Sequence, residues 1–493
     1  MELSGTNAKT AGQEPAVRES AVGTRAWTAA WELLLPAATA PARRRGLTLQ
    51  SALRDAVRSG RLAAGTRLPP SRELATDLGV SRGLVTDAYE QLVAEGYLRA
   101  GRGAGTWVAE VGGSTAGVPD PRAADEERRP DVDFKPGTPD LSLFPRAAWS
   151  AAQRRALAEL PHRALGYPDP SGLPRLRQVV AELLRRRRGV VADPRRVIVC
   201  SGVAQAMTLL GLALYGRGHR LAAVEDPGSP PHAGQFEAVG IRTAGVPVDG
   251  EGIVVAKLAE TGADVAVLTP SHQFPLGISY SARRRTELLQ WARDGDRLLV
   301  EDDYDGEFRY DRAPVGALQG LDPSRVAYSG SVSKSLAPGL RLGWMVLPDG
   351  LTEEVAGHKL HLDLGNSVID QAAFADLVVR GEYDRHLRRC QRAYRSRRDA
   401  LVAALAEQLP GASVTGIAAG LHVIVELPPG DVPEHALVGA AGRAGVRVMP
   451  LSSYADSAGD DRRVRLVLGY GHLPPGDIVR GVERLKAVWD ALR

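Results

Sequence analysis

The sequence predicts an α/β protein in which a small helical module is joined to a large domain with a mainly parallel sheet. Helical periodicity dominates from Leu47 to Glu110 and ends in short Gly-rich segments. Residues 111–131 are rich in Gly, Pro and charge, which is typical of an interdomain linker. From residue 132 onward, short apolar runs alternate with helical segments, as expected for a sheet covered by helices.

These patterns divide the 493 residues into four parts. We expect a poorly ordered extension over 1–43, the helical module over 44–110, the linker over 111–131 and the large domain over 132–493. The chain is too long for one ordinary domain, which has roughly 100–200 residues. The strands predicted in the large domain include Val197–Cys200, Val265–Leu268, Leu298–Val300 and Val326–Tyr328.

Composition narrows the class of protein. The hydrophobic fraction of 44% and the mean hydropathy of −0.16 are those of a globular protein, and a net charge of +4 is too small to identify a partner. Cys200 and Cys390 match no metal-ligand spacing, so neither a metal site nor a disulfide framework is expected.

The Arg185–Arg188 run is interpreted as a solvated helix face. The N-terminus lacks the apolar core of a signal peptide, and no apolar run reaches the ~20 residues of a membrane span, so a cytoplasmic protein with no membrane partner is predicted.

Three short helices are predicted in the N-terminal module. The first follows Leu49, Leu53 and Val57, which repeat at helical spacing. Ser71 and Ser81 are placed as N-caps of the second and third helices, because a serine oxygen can accept a bond from a free backbone N–H. The residues expected on the buried side of these two helices are Leu74, Leu78, Val85, Ala88, Tyr89 and Leu92. Two short helices joined by a Gly-containing turn form the pattern of a helix-turn-helix.

The exposed side of the third helix offers short polar and basic side chains. Ser81, Arg82 and Thr86 would let the helix enter a major groove, with Arg82 reaching phosphate or guanine. A hairpin over 96–108 would form a wing, with Arg102 at its tip for phosphate or minor-groove contact. A small helical cap with no DNA role fits the same spacing. The segment from Arg58 to Leu98, RSGRLAAGTRLPPSRELATDLGVSRGLVTDAYEQLVAEGYL, resembles the winged helix-turn-helix of the GntR family. This resemblance implies double-stranded DNA as a partner and Arg72 and Arg82 as DNA contacts.

The most informative segment of the large domain is SVSKSLAPGLRLG, which contains Lys334, one of only six lysines. A lysine amine can form a Schiff base with an aldehyde if its pKa is low enough to supply the neutral form. The small hydroxylated residues around it can bond a phosphate, and Arg341 can neutralise one. A lysine among serines is equally compatible with an ordinary loop.

Two further segments follow predicted strands. Glu301–Tyr304 lies at a strand's C-terminal end, where ligands bind in open α/β sheets. A carboxylate there could keep the nitrogen of a pyridinium ring protonated, and a tyrosine hydroxyl could bond a ring oxygen. An acidic turn without a ligand is the alternative. The Ser201-Gly202 turn opens a helix whose free N–H groups could bind phosphate, although such turns are common.

Together these segments resemble the fold-type I aminotransferases, and more closely the MocR/GabR regulators, which fuse a GntR-type winged helix to an aminotransferase-like domain. The segments that carry the resemblance are DFKPGTPDLSLFPRAAW (Asp133–Trp149), GYPDPSGLPRLR (Gly166–Arg177), LTPSHQFPLG (Leu268–Gly277), EDDYDGEFRY (Glu301–Tyr310) and SVSKSLAPGLRLGW (Ser331–Trp344). The resemblance implies a pyridoxal 5'-phosphate-dependent, aminotransferase-like (fold type I) domain.

The resemblance also implies roles for individual residues. Lys334 corresponds to the Schiff-base lysine, and Asp302 to the pyridinium partner, with Asp303 as the alternative. Arg465 corresponds to an arginine that holds the carboxylate of an effector. The other residues implied in cofactor binding are Tyr304 and Gln273 at the ring oxygen, Ser201, Gly202, Ser331 and Arg341 at the phosphate, and Tyr167 lent by a partner subunit.

Several positions depart from the pattern of that family. Ser229 stands where the motif EDPGY has an aromatic residue that stacks on the cofactor ring. Val203 and Ala204 replace polar residues of the phosphate turn, and Leu276 replaces a small polar residue of the HQFPTG loop. In the DNA-binding module, Gly83 replaces a residue that is often polar. Each departure in the large domain is expected to weaken cofactor binding, but none removes the amine, the carboxylate or the phosphate arginine.

The expected function is therefore a DNA-binding transcription regulator. It would carry pyridoxal 5'-phosphate as an aldimine on Lys334 and sense an amino compound or the cofactor itself. A homodimer is expected, because the family pairs its large domains and paired wings suit repeated half-sites. A working aminotransferase with an accessory DNA-binding module is one alternative. A regulator whose large domain has lost the cofactor and only dimerises is another.

Overall fold

The computed structural model describes residues 37–101, 105–110, 130–311, 315–455 and 463–493. The chain divides into two compact units, residues 1–128 and residues 129–493. The expected disorder of residues 1–36, most of the expected linker, and the wing-tip residue Arg102 lie outside the described residues.

In its described residues, the first unit has three full helices, a helical stretch at residues 37–39 and a small antiparallel sheet. Its helices are α1 (Arg45–Arg58), α2 (Ser71–Leu78) and α3 (Arg82–Ala94), preceded by a 3-10 turn, Ala42–Arg44. Its strands are β1 (Arg67–Leu68), β2 (Leu98–Gly101) and β3 (Gly105–Val108). β3 pairs antiparallel with both other strands, so the predicted hairpin is confirmed.

The core of this unit follows the predicted helical spacing. The confirmed buried residues are Leu49, Leu53, Leu74, Leu78, Val85, Ala88, Tyr89 and Leu92. The predicted cap of α3 is also confirmed, because the Ser81 hydroxyl accepts a bond from the Leu84 N–H at 3.3 Å. The predicted cap of α2 is wrong. Ser71 is already the first helical residue, and extended Pro70 takes the cap position without a side-chain bond.

The second unit is built on an eight-stranded sheet. Its strands are β5 (Val197–Cys200), β6 (Leu221–Asp226), β7 (Arg242–Asp249), β8 (Gly252–Ile253), β9 (Val265–Leu268), β10 (Leu298–Asp302), β11 (Val326–Ser331) and β12 (Gly343–Val346). The spatial order is β5-β12-β11-β10-β9-β6-β7-β8. Neighbours from β11 to β7 run parallel, whereas β12 is antiparallel to both of its neighbours and β8 is antiparallel to β7.

Helices cover both faces of this sheet. Val265 and Val267 pack in the apolar cluster on one face, whereas Ala266 and Leu268 pack in the cluster on the other. Such two-sided burial explains why the strands are continuous apolar runs rather than alternating ones. The helices of the unit are α4 (Arg146–Glu159), α5 (Pro174–Arg188), α6 (Val203–Gly216), α7 (Pro230–Glu237), α8 (Val255–Glu260), α9 (Ala282–Asp294), α10 (Thr352–Asp363), α11 (Val368–Val379), α12 (Glu382–Gln408), α13 (Glu434–Arg443) and α14 (Pro475–Leu492).

A smaller antiparallel sheet follows the long helix α12. It contains β13 (Ser413–Thr415), β14 (His422–Glu426), β16 (Met449–Pro450) and β17 (Arg465–Gly469), in the order β13-β14-β17-β16. A separate parallel pair joins β4 (Val132–Asp133) to β15 (Val446–Arg447). The start of the large domain is thereby tied to its C-terminal part.

The strand predictions for the large domain are largely confirmed. β5 and β9 have the predicted ends, whereas β10 runs on to Asp302 and β11 to Ser331. The extension arises because Asp302 and Ser329 still pair in the ladder, although their side chains are polar.

The interpretation of Arg185–Arg188 as a solvated face is wrong for its last residue. Arg185 lies on the surface beside Glu182, but the Arg188 side chain is buried. Its Nε lies 2.5 Å from Asp303 Oδ2, and this ion pair compensates for removing the guanidinium from water.

Candidate functional site

The first unit presents the predicted DNA-binding residues at the start of two helices. Arg72 lies exposed in the first turn of α2, and Ser81 and Arg82 are exposed at the start of α3. Thr86 is half-buried, and its hydroxyl donates to the Arg82 carbonyl at 3.0 Å. A Cβ added at Gly83 would meet no atom within 4 Å, so this part of α3 faces open space. The helix start is therefore free to approach another molecule.

The second unit contains a cavity of about 380 Å³ at the carboxyl ends of its central strands. β10 and β11 supply its floor, and the start of α6 supplies one wall. Its lining residues are Lys135, Pro136, Gly137, Val203, Ala204, Ser229, Pro230, Pro231, His232, Gln235, Thr269, Phe274, Asp302, Tyr304, Ser331, Ser333, Lys334, Arg341 and Tyr454. This edge of a parallel sheet is where ligands bind in open α/β folds.

Lys334 enters the cavity from the loop after β11. Its amine donates a hydrogen bond to the carbonyl of Gly137. Burial lowers the pKa of the Lys334 amine, although the nearby Asp305 and Asp302 carboxylates act in the opposite direction. A larger share of this amine is therefore neutral, and hence nucleophilic, than in an exposed lysine.

Of the two candidate carboxylates, Asp302 is the one that lines the cavity. Its Oδ2 lies 2.9 Å from Nε2 of His232, a residue that the sequence did not single out. Its Oδ1 is buried and has no hydrogen-bond partner among the described residues. Asp303 is instead committed to the ion pair with Arg188 and to the Tyr328 hydroxyl, which donates to it at 2.6 Å.

The wall at the start of α6 can receive an anion. α6 begins at Val203, directly after Gly202, whose φ of 86° lies in the left-handed region. The Arg341 side chain donates to the Ser201 carbonyl, and a Cβ added at Gly202 would lie 3.3 Å from its guanidinium. The Gln205 side chain accepts a bond from the Ser201 N–H at 2.7 Å, which holds the turn in place. Free N–H groups of the first helical turn and one guanidinium thus face the cavity together.

Tyr304 lines the cavity and stands in front of a buried polar pair. Its hydroxyl lies 3.0 Å from Nδ1 of His272, and that nitrogen lies 2.8 Å from Oδ2 of Asp305. Burial raises the pKa of Tyr304 well above its ordinary value, with Asp305 as the next cause. The hydroxyl therefore keeps its proton and can donate it in a hydrogen bond. His272 and Asp305 belong to segments noted in the sequence, but no spacing rule distinguished them from their neighbours.

Five of the residues implied by the resemblance lie outside the lining, and two of them, Ser201 and Gly202, form the turn directly before the wall at the start of α6. The side-chain amide of Gln273 donates to the carbonyls of Pro227 at 2.9 Å and Phe274 at 2.7 Å. It therefore ties its own loop to the one that follows β6, and it is not among the lining residues. Tyr167 is 89% exposed on the surface of the unit. Arg465 begins β17, opposite Glu426.

The departures from the family pattern have different surroundings. Ser229 does line the cavity, but aromatic rings reach it from two other segments, Phe274 and Tyr454. These rings meet edge to face with centroids 5.1 Å apart, and the Tyr454 carbonyl accepts the Gly228 N–H at 2.8 Å. Leu276 packs against an apolar cluster beneath the small sheet instead of lining the cavity.

The two cysteine thiols, Cys200 and Cys390, are buried and free. Among the helices of the described part of the chain, none is long and apolar enough to cross a membrane.

Comparison with protein families matches both units. Residues 47–108 match the bacterial regulatory proteins of the gntR family, and residues 132–473 match aminotransferase class I and II. The probable rhizopine catabolism regulatory protein MocR of Rhizobium meliloti is 34% identical over 468 residues, which cover 90% of this chain and 93% of that protein. The pyridoxine biosynthesis regulator PdxR of Corynebacterium glutamicum is 34% identical over 434 residues, covering 86% and 91%.

Solved structures resemble the large domain. The multiple substrate aminotransferase of Thermococcus profundus superposes with a TM-score of 0.67 at 26% identity, covering 76% of this chain and 96% of its own. The α-aminoadipate aminotransferase LysN of Thermus thermophilus does so with a TM-score of 0.64 at 28% identity, covering 73% and 92%. The family match over residues 132–473 includes the strands that carry Asp302 and precede Lys334.

Proposed function

Because the chain belongs to the MocR-type regulators, with a GntR winged helix and an aminotransferase class I and II domain, it is a DNA-binding transcription regulator, and we propose that it holds pyridoxal 5'-phosphate on Lys334 as its sensor. The sensed molecule is an amino compound or the cofactor itself. One relative is named a probable regulator of rhizopine catabolism and another a regulator of pyridoxine biosynthesis, and the second name supports the cofactor itself as the sensed molecule.

The observation that carries this proposal is the unpaired Asp302 Oδ1. A buried carboxylate oxygen without a partner costs free energy unless something fills its place. It lines the same cavity as the Lys334 amine, and a protonated ring nitrogen is the donor that would satisfy it. Pyridoxal phosphate would supply an aldehyde that reacts reversibly with amines and a ring that withdraws electrons.

The remaining residues have roles that follow from their positions. The N–H groups at the start of α6, Arg341 and Ser331 would hold the phosphate. Tyr304 would donate its hydroxyl proton to the ring oxygen, and the His272–Asp305 pair would fix the direction of that hydroxyl. His232 would keep the Asp302 carboxylate in place through its other oxygen.

We further propose a homodimer that binds double-stranded DNA. The exposed Tyr167 would reach the cavity of the partner subunit, and Arg465 would hold the effector's carboxylate. Arg72, Ser81, Arg82, Thr86 and the wing residue Arg102 would contact DNA. A ligand can change DNA binding only through different affinities for two states of the protein.

A working aminotransferase is the second candidate, because the amine, the carboxylate and the phosphate wall occupy one cavity. Multiple-turnover conversion of an amino donor and a keto acid would support it. A single reaction per site, with changed DNA affinity, would support the regulator.

The test of the cofactor proposal is the absorbance spectrum of the full-length protein after addition of pyridoxal phosphate. A visible band is expected in the native protein and in Lys257→Ala, a variant of an exposed lysine that pairs with Glu260. The band should be absent in Lys334→Ala. A band that persists in Lys334→Ala would transfer the attachment to Lys135, the other lysine of the lining, and would contradict the proposal. No band in any of the three proteins would support the cofactor-free alternative.

A further inference from the structure

The large domain has a second cavity, of about 270 Å³, that shares no lining residue with the first. Four of its six lining residues are arginines, and we call it the arginine cavity. Its lining residues are Arg309, Tyr310, Arg388, Gln391, Arg392 and Arg395. Nothing in the cofactor proposal uses this cavity.

Three of these arginines form one basic face of α12. Arg388, Arg392 and Arg395 are spaced by four and three residues, so their side chains project from the same side of the helix. From the first to the last, the helix rises roughly 10 Å. All three side chains are exposed, and none forms an ion pair or hydrogen bond within the described part of the chain.

The fourth arginine, Arg309, is held differently. It is 9% exposed, and its Nε lies 2.8 Å from the Asp311 carboxylate. Its Nη1 is buried, and no residue in the part of the chain that the structure describes bonds to it. Removing a guanidinium nitrogen from water without giving it an acceptor costs free energy. Because Arg309 lies in the wall of the cavity, we infer that the acceptor for this nitrogen enters from the cavity.

Acidic residues nearby are occupied elsewhere. Glu307 pairs with Arg187 at 2.5 Å, and Asp384 pairs with Arg186 and Arg187. Asp311 pairs with Arg309, and no carboxylate is among the lining residues that the structure describes. The arginine cavity keeps a strong excess of positive charge.

We propose that the arginine cavity binds a small anion with two or more negatively charged groups, of the phosphorylated or polycarboxylate class. Guanidinium groups bind such oxygens through paired hydrogen bonds. The basic face of α12 is long enough to hold two charged groups at once, and Arg309 Nη1 supplies a fixed donor at the wall. A concave site with a buried donor suits a small molecule rather than the backbone of a nucleic acid.

The test is calorimetric titration of the full-length protein with inorganic pyrophosphate. Two samples exclude binding at the phosphate wall of the first cavity. One is the native protein saturated with pyridoxal phosphate, and the other is the Arg341→Ser variant. Binding is expected to survive in both. Arg388→Gln/Arg392→Gln should weaken it at least tenfold. Arg385→Gln/Arg389→Gln, which removes the same charge from α12 outside the lining, should change it less than threefold.

Arg309→Lys gives an independent reading of the buried donor. It keeps the charge beside Asp311 but lacks the planar fork, so pyrophosphate binding should weaken severalfold while the melting temperature stays near that of the native protein. The proposal is overturned if pyrophosphate fails to bind at millimolar concentration, if both double variants weaken it equally, or if Arg341→Ser abolishes it. It is also overturned if Arg388→Gln/Arg392→Gln weakens promoter DNA binding and leaves pyrophosphate affinity unchanged, because the face would then bind nucleic acid.

Discussion

Replacing Asp302 by Asn separates the cofactor role of this residue from a structural one. The change keeps the size of the side chain but removes the charge from Oδ1, the buried oxygen without a partner. A hydrogen bond to a charged group contributes about 1.5–3 kcal/mol. At about 1.4 kcal/mol per tenfold change, the affinity for pyridoxal phosphate should fall roughly 10- to 150-fold. In the cofactor-free protein the amide can keep the hydrogen bond with His232, so the melting temperature should fall much less than when a buried ion pair is broken.

Asp303→Asn is the matched control, one residue along the same strand end. Asp303 pairs with buried Arg188, and breaking such a pair costs on the order of 3–5 kcal/mol. This variant should melt at a clearly lower temperature with or without the cofactor. The assays are a spectroscopic titration with pyridoxal phosphate and a thermal melt of each cofactor-free protein. Cofactor affinity in Asp302→Asn within threefold of the native value would refute the assignment of Asp302 to the ring nitrogen.

Three further predictions concern pH, the phosphate wall and DNA. Burial lowers the pKa of His422 from 6.5 to about 3. As the pH falls below 6.5, only the unfolded chain binds this proton, so the folded state loses stability toward pH 3. The melting temperature of His422→Gln should therefore fall less between pH 7 and pH 5 than that of the native protein, and equal falls would exclude His422 as a source of acid sensitivity. Gly202→Ala introduces a Cβ at positive φ beside the Arg341 guanidinium, so phosphate-dependent cofactor binding should weaken at least tenfold in the spectroscopic titration, and native affinity would argue against this wall as the phosphate site. If Arg82 contacts a phosphate, Arg82→Ala should reduce the slope of log affinity against log salt on promoter DNA by about 1. The control is Arg54→Ala, which breaks an ion pair with Glu95 at the other end of α3 and should leave that slope unchanged.

Local sequence patterns were sufficient for much of the fold. The helical spacing from Leu49 to Leu92 predicted the helical core of the first unit, because each of those helices packs through one face. The buried Leu62 and Leu68 lie outside the helices and were not predicted. The apolar runs of β5 and β9 predicted both ends of those strands, because strands covered on two faces have no polar alternation to obscure them. The apolar pattern did not predict the end of β10, because the polar residue Asp302 continues that strand.

The partners of charged residues could not be predicted from local pattern. Arg188 lies in a run of four arginines, yet it alone is buried, because Asp303 lies 115 residues away in sequence and beside it in space. The same pairing excludes Asp303 from the cavity and leaves Asp302 facing it. His272, Asp305 and the arginine cavity are likewise products of tertiary packing. His272 and Asp305 are far apart in sequence, and the basic face of α12 becomes a cavity wall only where Arg309 and Tyr310 pack beside it.

The central claim is that a cofactor held on Lys334 changes how the first unit binds DNA. Its most direct test is the affinity of the full-length protein for a fragment of its own promoter at fixed salt, with and without pyridoxal phosphate, beside Lys334→Ala. Coupling between two sites typically changes affinity 5- to 150-fold. A change in this range in the native protein, absent in Lys334→Ala, is the predicted result. The same DNA affinity in the native protein with and without the cofactor, at concentrations that produce the visible band, would contradict the account.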